Sequence, residues 1–471
     1  MASWLPHRFF RPRGWAMLAA GLLALLCAQV MGRRDLLTLG IFLLLLPLLA
    51  AAGLRLLRPG FRIARTFAPD LVEAGTTTTV GLSVQGSRHG GGRIEMREKL
   101  PARFGPAPTF LYPSRGSGDG PSRYAYHLVS AQRGQFRIGP ASAEFSDPFN
   151  LTILRQDVDA GSLLTVAPAA VALGTSSLTG GLGLDGMTAT RQRANPSDDD
   201  VMTREYRYGD PLRRVHWPAT ARHGQLMVRQ EESVTTPEAT LVLDQRTGSF
   251  AGGLSGVFGL AGHDAVHPEL ATSEAFEWAV VAAMSICTHL IERNYSVRVL
   301  DAYAQPGFLH SRSAPSRHEE VFEGSAGLAA IAASLAALEL VHPPVAGSGR
   351  QLPVAGEPLA QKLSHTRRRG PVVALLGQLG PAEATALAPV AEHGEGAVAI
   401  LVCEHPARAG ESVAVLRRAG WHALAVSPQA ELAEVWAMAQ EASSGVGGHA
   451  AGRADGRAGG RADGLRPWVL P

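Results

Sequence analysis

The stretch YRYGDPLRRVHWPATAR, residues 206–222, gathers two Tyr, one Trp, one His, one Asp and four Arg. Side chains of these types could catalyse, bind nucleic acid, dock an acidic partner or clasp neighbouring parts of the chain. Catalysis would need a nucleophile beside His216 and a third residue to orient the imidazole, and the sequence offers neither. Nucleic-acid binding would need a recognised module displaying the aromatics, and none surrounds the segment. The clasp is the first expectation: Asp210 caps a helix and pairs with arginine while Trp217 packs beneath a sheet. Docking stands second. Between 204 and 229 six Arg face two acids, a local charge of +4.

The local signals predict a short helix. Asp210 and Pro211 suit the N-cap and the first helical position. Pro218 should stop the helix near His216 or Trp217. Leu212, Val215 and Ala219 give a weak apolar stripe, and Arg213 and Trp217, four apart, would share one face.

The flanking sequence shows what must position this segment. Residues 169–200 lose periodicity and are rich in Gly, Ser and Thr, as a linker is. Ahead of them, 60–168 reads as an all-β, sandwich-like domain. Val80, Leu82 and Val84 alternate, as do Tyr124, Tyr126 and Leu128, and then Phe136 and Ile138. Period-two alternation broken by Gly and Pro turns marks half-buried strands. His89 and His127 are isolated and should be structural or solvent-facing.

After the segment the pattern changes. Strands are expected at 240–244, 296–300, 372–377, 397–402 and 422–426. Helices are expected at 273–293, 319–340, 381–392, 410–419 and 428–442. The alternation predicts a doubly wound α/β domain over 239–442. Ligands of such sheets sit at the carboxyl ends of strands, which draws attention to Asp244. The tail, 443–471, repeats Gly-Arg-Ala-Asp-Gly and should be disordered. Linker and signature together span 169–238.

Residues 16–32 and 36–54 carry no charge. Roughly 20 apolar residues of helix cross a bilayer, so 1–59 reads as a transmembrane hairpin. A cleaved signal peptide would need a small-x-small site near Cys27 to Gly32, and none is clear. Arg8, Arg11 and Arg13 precede the hairpin, and Arg55, Arg58, Arg62 and Arg65 follow it. Only Arg33 and Arg34 lie between the two runs. That imbalance predicts a multi-pass protein of the cell membrane with both termini and the soluble domains cytoplasmic.

Bulk composition adds little. The 471 residues allow two or three domains, and hydrophobic content of 46% is enough for real cores. Net charge is only +3, so the whole chain gives no argument for nucleic acid. Of 44 basic side chains only Lys99 and Lys362 are lysines, a bias that discounts scattered arginines as a binding signal. Cys27, Cys287 and Cys403 are too far apart for a disulfide framework or a metal knuckle and read as buried free thiols.

Two stretches carry a resemblance. RGQFRIGPASAEFSDPFNL, 133–151, is similar to a strand–turn–Asp-Pro-Phe passage of the bacterial family called domain of unknown function 58. REYRYGDPLRRVHWPATAR, 204–222, resembles that family's signature at Arg204, Tyr206, Gly209, Asp210, Arg213, Trp217, Ala221 and Arg222. The resemblance extends over most of the chain and implies two N-terminal spans, a strand-rich domain and a von Willebrand factor A-like α/β domain. It implies no reaction. Members of the family commonly accompany MoxR-type AAA ATPases and transglutaminase-like membrane proteins, which makes such an ATPase the expected partner besides the lipid bilayer.

A von Willebrand A-like domain often holds a divalent ion through an Asp-x-Ser-x-Ser loop after its first strand. Here the loop is Asp244-Gln245-Arg246-Thr247-Gly248, in which Asp244 is retained and Arg246 and Gly248 replace the serines. A fixed positive charge opposes a cation, so neither metal nor cofactor is expected. The resulting expectation is a membrane-anchored, non-enzymatic interaction protein. The interdomain or partner residues would be Arg204, Tyr206, Gly209, Asp210, Arg213, Arg214, Trp217 and Arg222. The alternatives are a metal-dependent ligand-binding A domain and an enzyme acting on envelope material.

Overall fold

The computed structural model describes residues 9–56, 60–86, 94–112, 121–174, 203–206, 215–229, 237–250, 254–255, 270–342, 354–364 and 370–447. They divide into two compact units, the first built chiefly from residues up to Ala169 and the second chiefly from Ala170 onward.

The first unit opens with α1 (Pro12–Met31) and α2 (Arg34–Leu56). Both are long and apolar enough to cross a membrane, and little of either is buried within the protein. Gly32, at φ 67°, ends α1 in the left-handed conformation that glycine adopts freely, so the turn is tighter than the expected Arg33–Asp35 link. Arg34 and Asp35 already belong to α2. The helices meet where side chains are smallest. A Cβ on Gly21 would come 2.9 Å from Leu44 Cγ, and one on Gly40 would come 2.9 Å from Leu25. Small residues that let backbones approach are what holds helices together in lipid, where apolar burial drives nothing.

Ten strands follow: β1 (Phe61–Ala68), β2 (Leu71–Glu73), β3 (Thr77–Gly86), β4 (Ile94–Glu98), β5 (Thr109–Tyr112), β6 (Ser122–Val129), β7 (Gly134–Ile138), β8 (Ala141–Ser146), β9 (Ile153–Asp157) and β10 (Ser162–Ala167). They form three sheets, ordered β1-β3-β6, β2-β10-β7 and β5-β4-β8-β9. The alternating residues behave as their period requires. Val80 and Leu128, from the first sheet, join Phe136, Ile138, Leu164 and Val166 of the second in one core. Val84, four residues along β3 from Val80, joins Met96, Ala143 and Phe145 of the third sheet in another. One sheet therefore lends its inner face to two cores, a variation on a simple two-sheet sandwich.

A buried ionic cluster ties these strands together. Arg65 on β1 pairs with Glu98 at the end of β4 and with Asp159, and its guanidinium and the Glu98 carboxylate are almost wholly withdrawn from solvent. The Tyr126 hydroxyl donates to Glu98 Oε2 at 3.3 Å. Buried charge is tolerated only when paired, so the cluster ties β1 of the first sheet to β4 of the third and to the loop between β9 and β10. His127 faces solvent on β6, while His89 lies outside the described residues.

The second unit carries β11 (Thr203–Glu205), α3 (Trp217–His223), β12 (Met227–Arg229), β13 (Glu238–Leu243), β14 (Leu254–Ser255), β15 (Thr272–Ser273) and α4 (Glu274–Glu292). Then come β16 (Ser296–Asp301), β17 (Val321–Phe322), α5 (Gly324–Ala336), α6 (Gly356–Ser364), β18 (Pro371–Leu376), α7 (Pro381–Leu387), β19 (Gly396–Val402), α8 (Gly410–Arg418), β20 (His422–Val426) and α9 (Leu432–Gly447). Six strands make one sheet in the order β17-β16-β13-β18-β19-β20. All pairs are parallel except the edge strand β17, which runs antiparallel to β16.

Alternate residues of the buried strands face opposite layers. Val242, Ala374, Leu376, Ala399 and Leu401 meet Leu359 and Leu363 of α6, Leu387 of α7 and Leu416 of α8 on one face. Helix α4 lies against β13, β16, β18 and β19. By length and composition α4 could also cross a membrane, but most of it is buried inside the protein. Ser273 caps it, its Oγ accepting from Phe276 N at 3.2 Å. The expected helix at 319–340 is shorter, since 321–322 form an edge strand. The last helix runs to Gly447, beyond the expected limit at 442. The rest of the tail, and residues 175–202 of the linker, lie outside the described residues.

Candidate functional site

The signature segment is built around strand β12. On one side β11 pairs with it antiparallel, Arg204 opposite Val228, and on the other Val215 bridges to the same Val228. Two further backbone bonds close the ends: Tyr206 N donates to Leu226 O, and His216 N to Met227 O, each at 2.8 Å. Val215, Met227 and Val228 are buried beneath.

The helix lies elsewhere than the sequence suggests. Val215 is in extended backbone, so 212–217 is not one helical face. The helix is α3, and it begins where the sequence reading ends it. His216 is its N-cap, with Nδ1 accepting from Ala219 N at 3.3 Å. Pro218 sits in the first turn, where a missing N–H leaves no intrahelical bond unmade. Gly224, at φ 70°, closes the helix with its N–H on Thr220 O. Thr220 Oγ1 accepts from Met227 N at 3.0 Å and donates to His216 O, which returns the chain into β12.

This arrangement turns the signature aromatic outward. Trp217 is 68% exposed, which corrects the expectation that it packs under the α/β sheet. Arg222 and His223 on the same helix and Leu226 just after it are exposed as well, while Tyr206 is half-buried. Gly209, Asp210, Arg213 and Arg214 lie outside the described residues, so the expected Asp210 cap and Arg213–Trp217 stacking fall there too. For Arg204 only the backbone is described.

A second cluster stands at the carboxyl end of β13. The sheet reverses its winding between β13 and β18, the crevice where such folds place ligands. Asp244 is fully buried there, and Arg246 grips it as a fork, Nε to Oδ1 and Nη2 to Oδ2, each at 2.9 Å. The Arg246 backbone N–H adds a third bond to Oδ1 at 3.0 Å. The remaining nitrogen, Nη1, donates to Glu383 at the start of α7. Although burial alone disfavours the charged guanidinium, the two carboxylates hold its pKa above the ordinary value. Arg246 thus supplies from within the chain the positive charge that two acids at a strand end require. Gly248, in the turn that follows, adds no side-chain oxygen. Among the described residues, no group of three or more His, Cys, Asp or Glu is placed to hold a metal ion.

Neighbouring groups complete the crest. Asp301, at the end of β16, is buried and accepts from Tyr303 N at 2.9 Å and Gln305 N at 2.7 Å. Burial pushes its carboxyl above the usual range, and those two amides pull the other way. A cleft of about 160 Å³ opens near the ends of β18 and β19, lined by Ser249, Phe250, Gln378, Cys403, His405 and Arg408 among others. Burial raises the Cys403 thiol and pushes that of Cys287 up to about 12, so neither is a thiolate at neutral pH. Sequence reasoning found Asp244 and Arg246 but missed Glu383 and Asp301, which only the sheet brings to the same end.

Residues 202–253 match the family model described as Protein of unknown function DUF58. That interval covers the whole signature segment, 204–222, strand β13 and the Asp244–Arg246 turn. No curated protein matches the chain. Among solved structures, the chain is similar to one described as the crystal structure of the SpRpn10 VWA domain. The two share 14% identity over 43% of this chain and 94% of the other, with a TM-score of 0.25.

Proposed function

We propose that this chain is a membrane-anchored docking protein, held in the bilayer by α1 and α2, that receives a protein partner on the surface around α3 and performs no chemistry itself. The observation that carries the reading is Trp217. An indole that a structural clasp would bury is instead 68% exposed on a short capped helix, with Leu226 exposed beside it in sequence. Exposed tryptophans with arginine nearby are the side chains that dominate protein–protein contacts. The excess of arginine in 204–229 favours an acidic partner. The resemblance of the signature makes a MoxR-type AAA ATPase the first candidate, with a transglutaminase-like membrane protein as a further component. Arg246 weighs against a metal-dependent version of the same module, because the charge a divalent ion would bring is already supplied.

A cytosolic ATPase can be the partner only if the second unit lies in the cytoplasm, as the flanking arginines suggest. A reporter fused to the C-terminus tests this. Activity of a reporter that works only in the cytoplasm is the expected result. Activity of one that works only after export would overturn the reading and restore an envelope substrate.

A further inference from the structure

The Asp-Pro-Phe passage at 147–149 has no part in the docking reading. Asp147 is buried, and its carboxylate accepts from the backbone N–H of Phe149 and Leu151, each at 2.8 Å, from that of Thr152, and from the Thr152 hydroxyl at 2.8 Å. These bonds hold a turn whose exit pairs with the chain entering α1. Arg11 N donates to Leu151 O and Ile153 N to Phe9 O, each at 2.8 Å, and Phe10 and Thr152 form an antiparallel bridge. Arg11 Nη2 also reaches Glu144 Oε1 at 3.0 Å.

The register fixes a direction. From Phe9 to Arg11 and on to Gly14 the chain runs into the apolar helix. From Leu151 to Ile153 and along β9 it runs the opposite way. Leu151 is level with Arg11, so the turn before it lies on the side of the apolar span. Gly14 reports the same closeness, since a Cβ there would come 2.4 Å from Leu151 O. Phe149, inside this turn, is 61% exposed, and Trp15, one turn into α1, is 42% exposed. Arg13, at the start of α1, and Arg55, at the end of α2, are exposed at one end of the hairpin, with the Arg55 guanidinium 4.7 Å above the Phe9 ring. Aromatic rings and arginines at the end of an apolar span are what the headgroup layer of a bilayer favours.

We propose that the Asp147–Asn150 turn is a lipid-contact element. Phe149 inserts at the boundary between headgroups and acyl chains beside Trp15, and Arg13 and Arg55 face anionic lipid phosphates. The proposal rests on reading α1 and α2 as membrane spans. It gives the turn two tasks: Asp147 shapes it to receive the lead-in of α1, and Phe149 sets the depth at which the strand-rich unit rides.

The full chain carrying Phe149→p-benzoylphenylalanine is reconstituted in phosphatidylcholine vesicles containing phosphatidylglycerol and irradiated. Phospholipid adducts are expected at position 149. None is expected when the same probe replaces Gln156, exposed near the far end of β9. Position 149 is exposed, so an unchanged melting curve should accompany the substitution. Absent adducts at 149, or equal yields at both positions, would overturn the proposal. Alkaline extraction of the same vesicles separates the two layers of the claim. A chain that stays in the membrane without adducts defeats the turn alone, and a chain that is released defeats the spans with it.

Discussion

Arg246→Ala removes the guanidinium that joins Asp244 to Glu383. Asp244 is fully buried, and the substitution takes away its two charge-assisted bonds at 2.9 Å, leaving it, among the described residues, the backbone bond at 3.0 Å. Glu383 is partly exposed and can turn to water, so most of the penalty falls on Asp244. Breaking a buried pair from one side costs about 3–5 kcal/mol, because a carboxylate is left without its counter-charge. Hydrogen exchange of the β13 and β18 amides reads that cost in the unit concerned. Protection there should fall by roughly two to three and a half orders of magnitude, the same free energy expressed as an opening equilibrium. Asp244→Asn combined with Arg246→Ala should cost less than the two changes summed, since the second removes the charge the first exposes. Mg²⁺ should restore protection to Arg246→Ala, by about 2.7 kcal/mol at a hundredfold excess over its Kd, and should leave the parent chain unchanged. Full protection in Arg246→Ala without any cation would refute the reasoning.

Three further predictions follow from the packing. Gly40→Leu should destabilise the hairpin by about 1–3 kcal/mol through overpacking, seen as faster proteolysis in vesicles. Gly53→Leu, at a position with nothing within 4 Å of the added Cβ, should not. Burial, and then the charge of Arg293, depress the His289 imidazole from 6.5 to about 4, so the native state keeps it neutral. The unfolded chain takes up the proton first, so stability should be complete above pH 6.5 and decline as pH falls toward 4, with His289→Leu flattening that slope in melting curves. Asp147→Ala strips four hydrogen bonds from the turn. At about 1–3 kcal/mol for each buried donor left unmet, exchange at Leu151 to Ile153 should rise sharply, and an unchanged rate would show that the carboxylate does not organise the turn.

The strands and helices were legible where one period ran uninterrupted. Val80, Leu82 and Val84 point inward as their alternation requires, and the five core strands of the α/β unit lie within a residue or two of their expected positions. Legibility failed where one residue type serves two purposes. Proline stops a helix from inside and starts one from its first turn, and nothing local told which role Pro218 plays; His216 settles it by capping with an imidazole. It failed again for contacts closed over long separations. Glu383 reaches Arg246 from 137 residues away because α7 follows β18, beside β13 in the sheet. Arg65 finds Glu98 and Asp159 through two strands and a loop that no periodicity links. Arg246 itself was readable as a charge two residues from Asp244, close enough along the chain to pair with that carboxylate as it does.

The docking claim is tested most directly at Trp217. The full chain in lipid nanodiscs is titrated with a MoxR-type ATPase from the same organism, and the melting of Trp217→Ala is followed alongside. An exposed indole contributes little to folding, so the melting free energy should move by no more than about 0.5 kcal/mol. As the centre of a binding surface it should weaken the complex by about 2 kcal/mol or more, roughly thirtyfold in Kd. Unaltered binding together with a loss of about 3–5 kcal/mol in stability would return Trp217 to the role of a buried clasp and contradict the account.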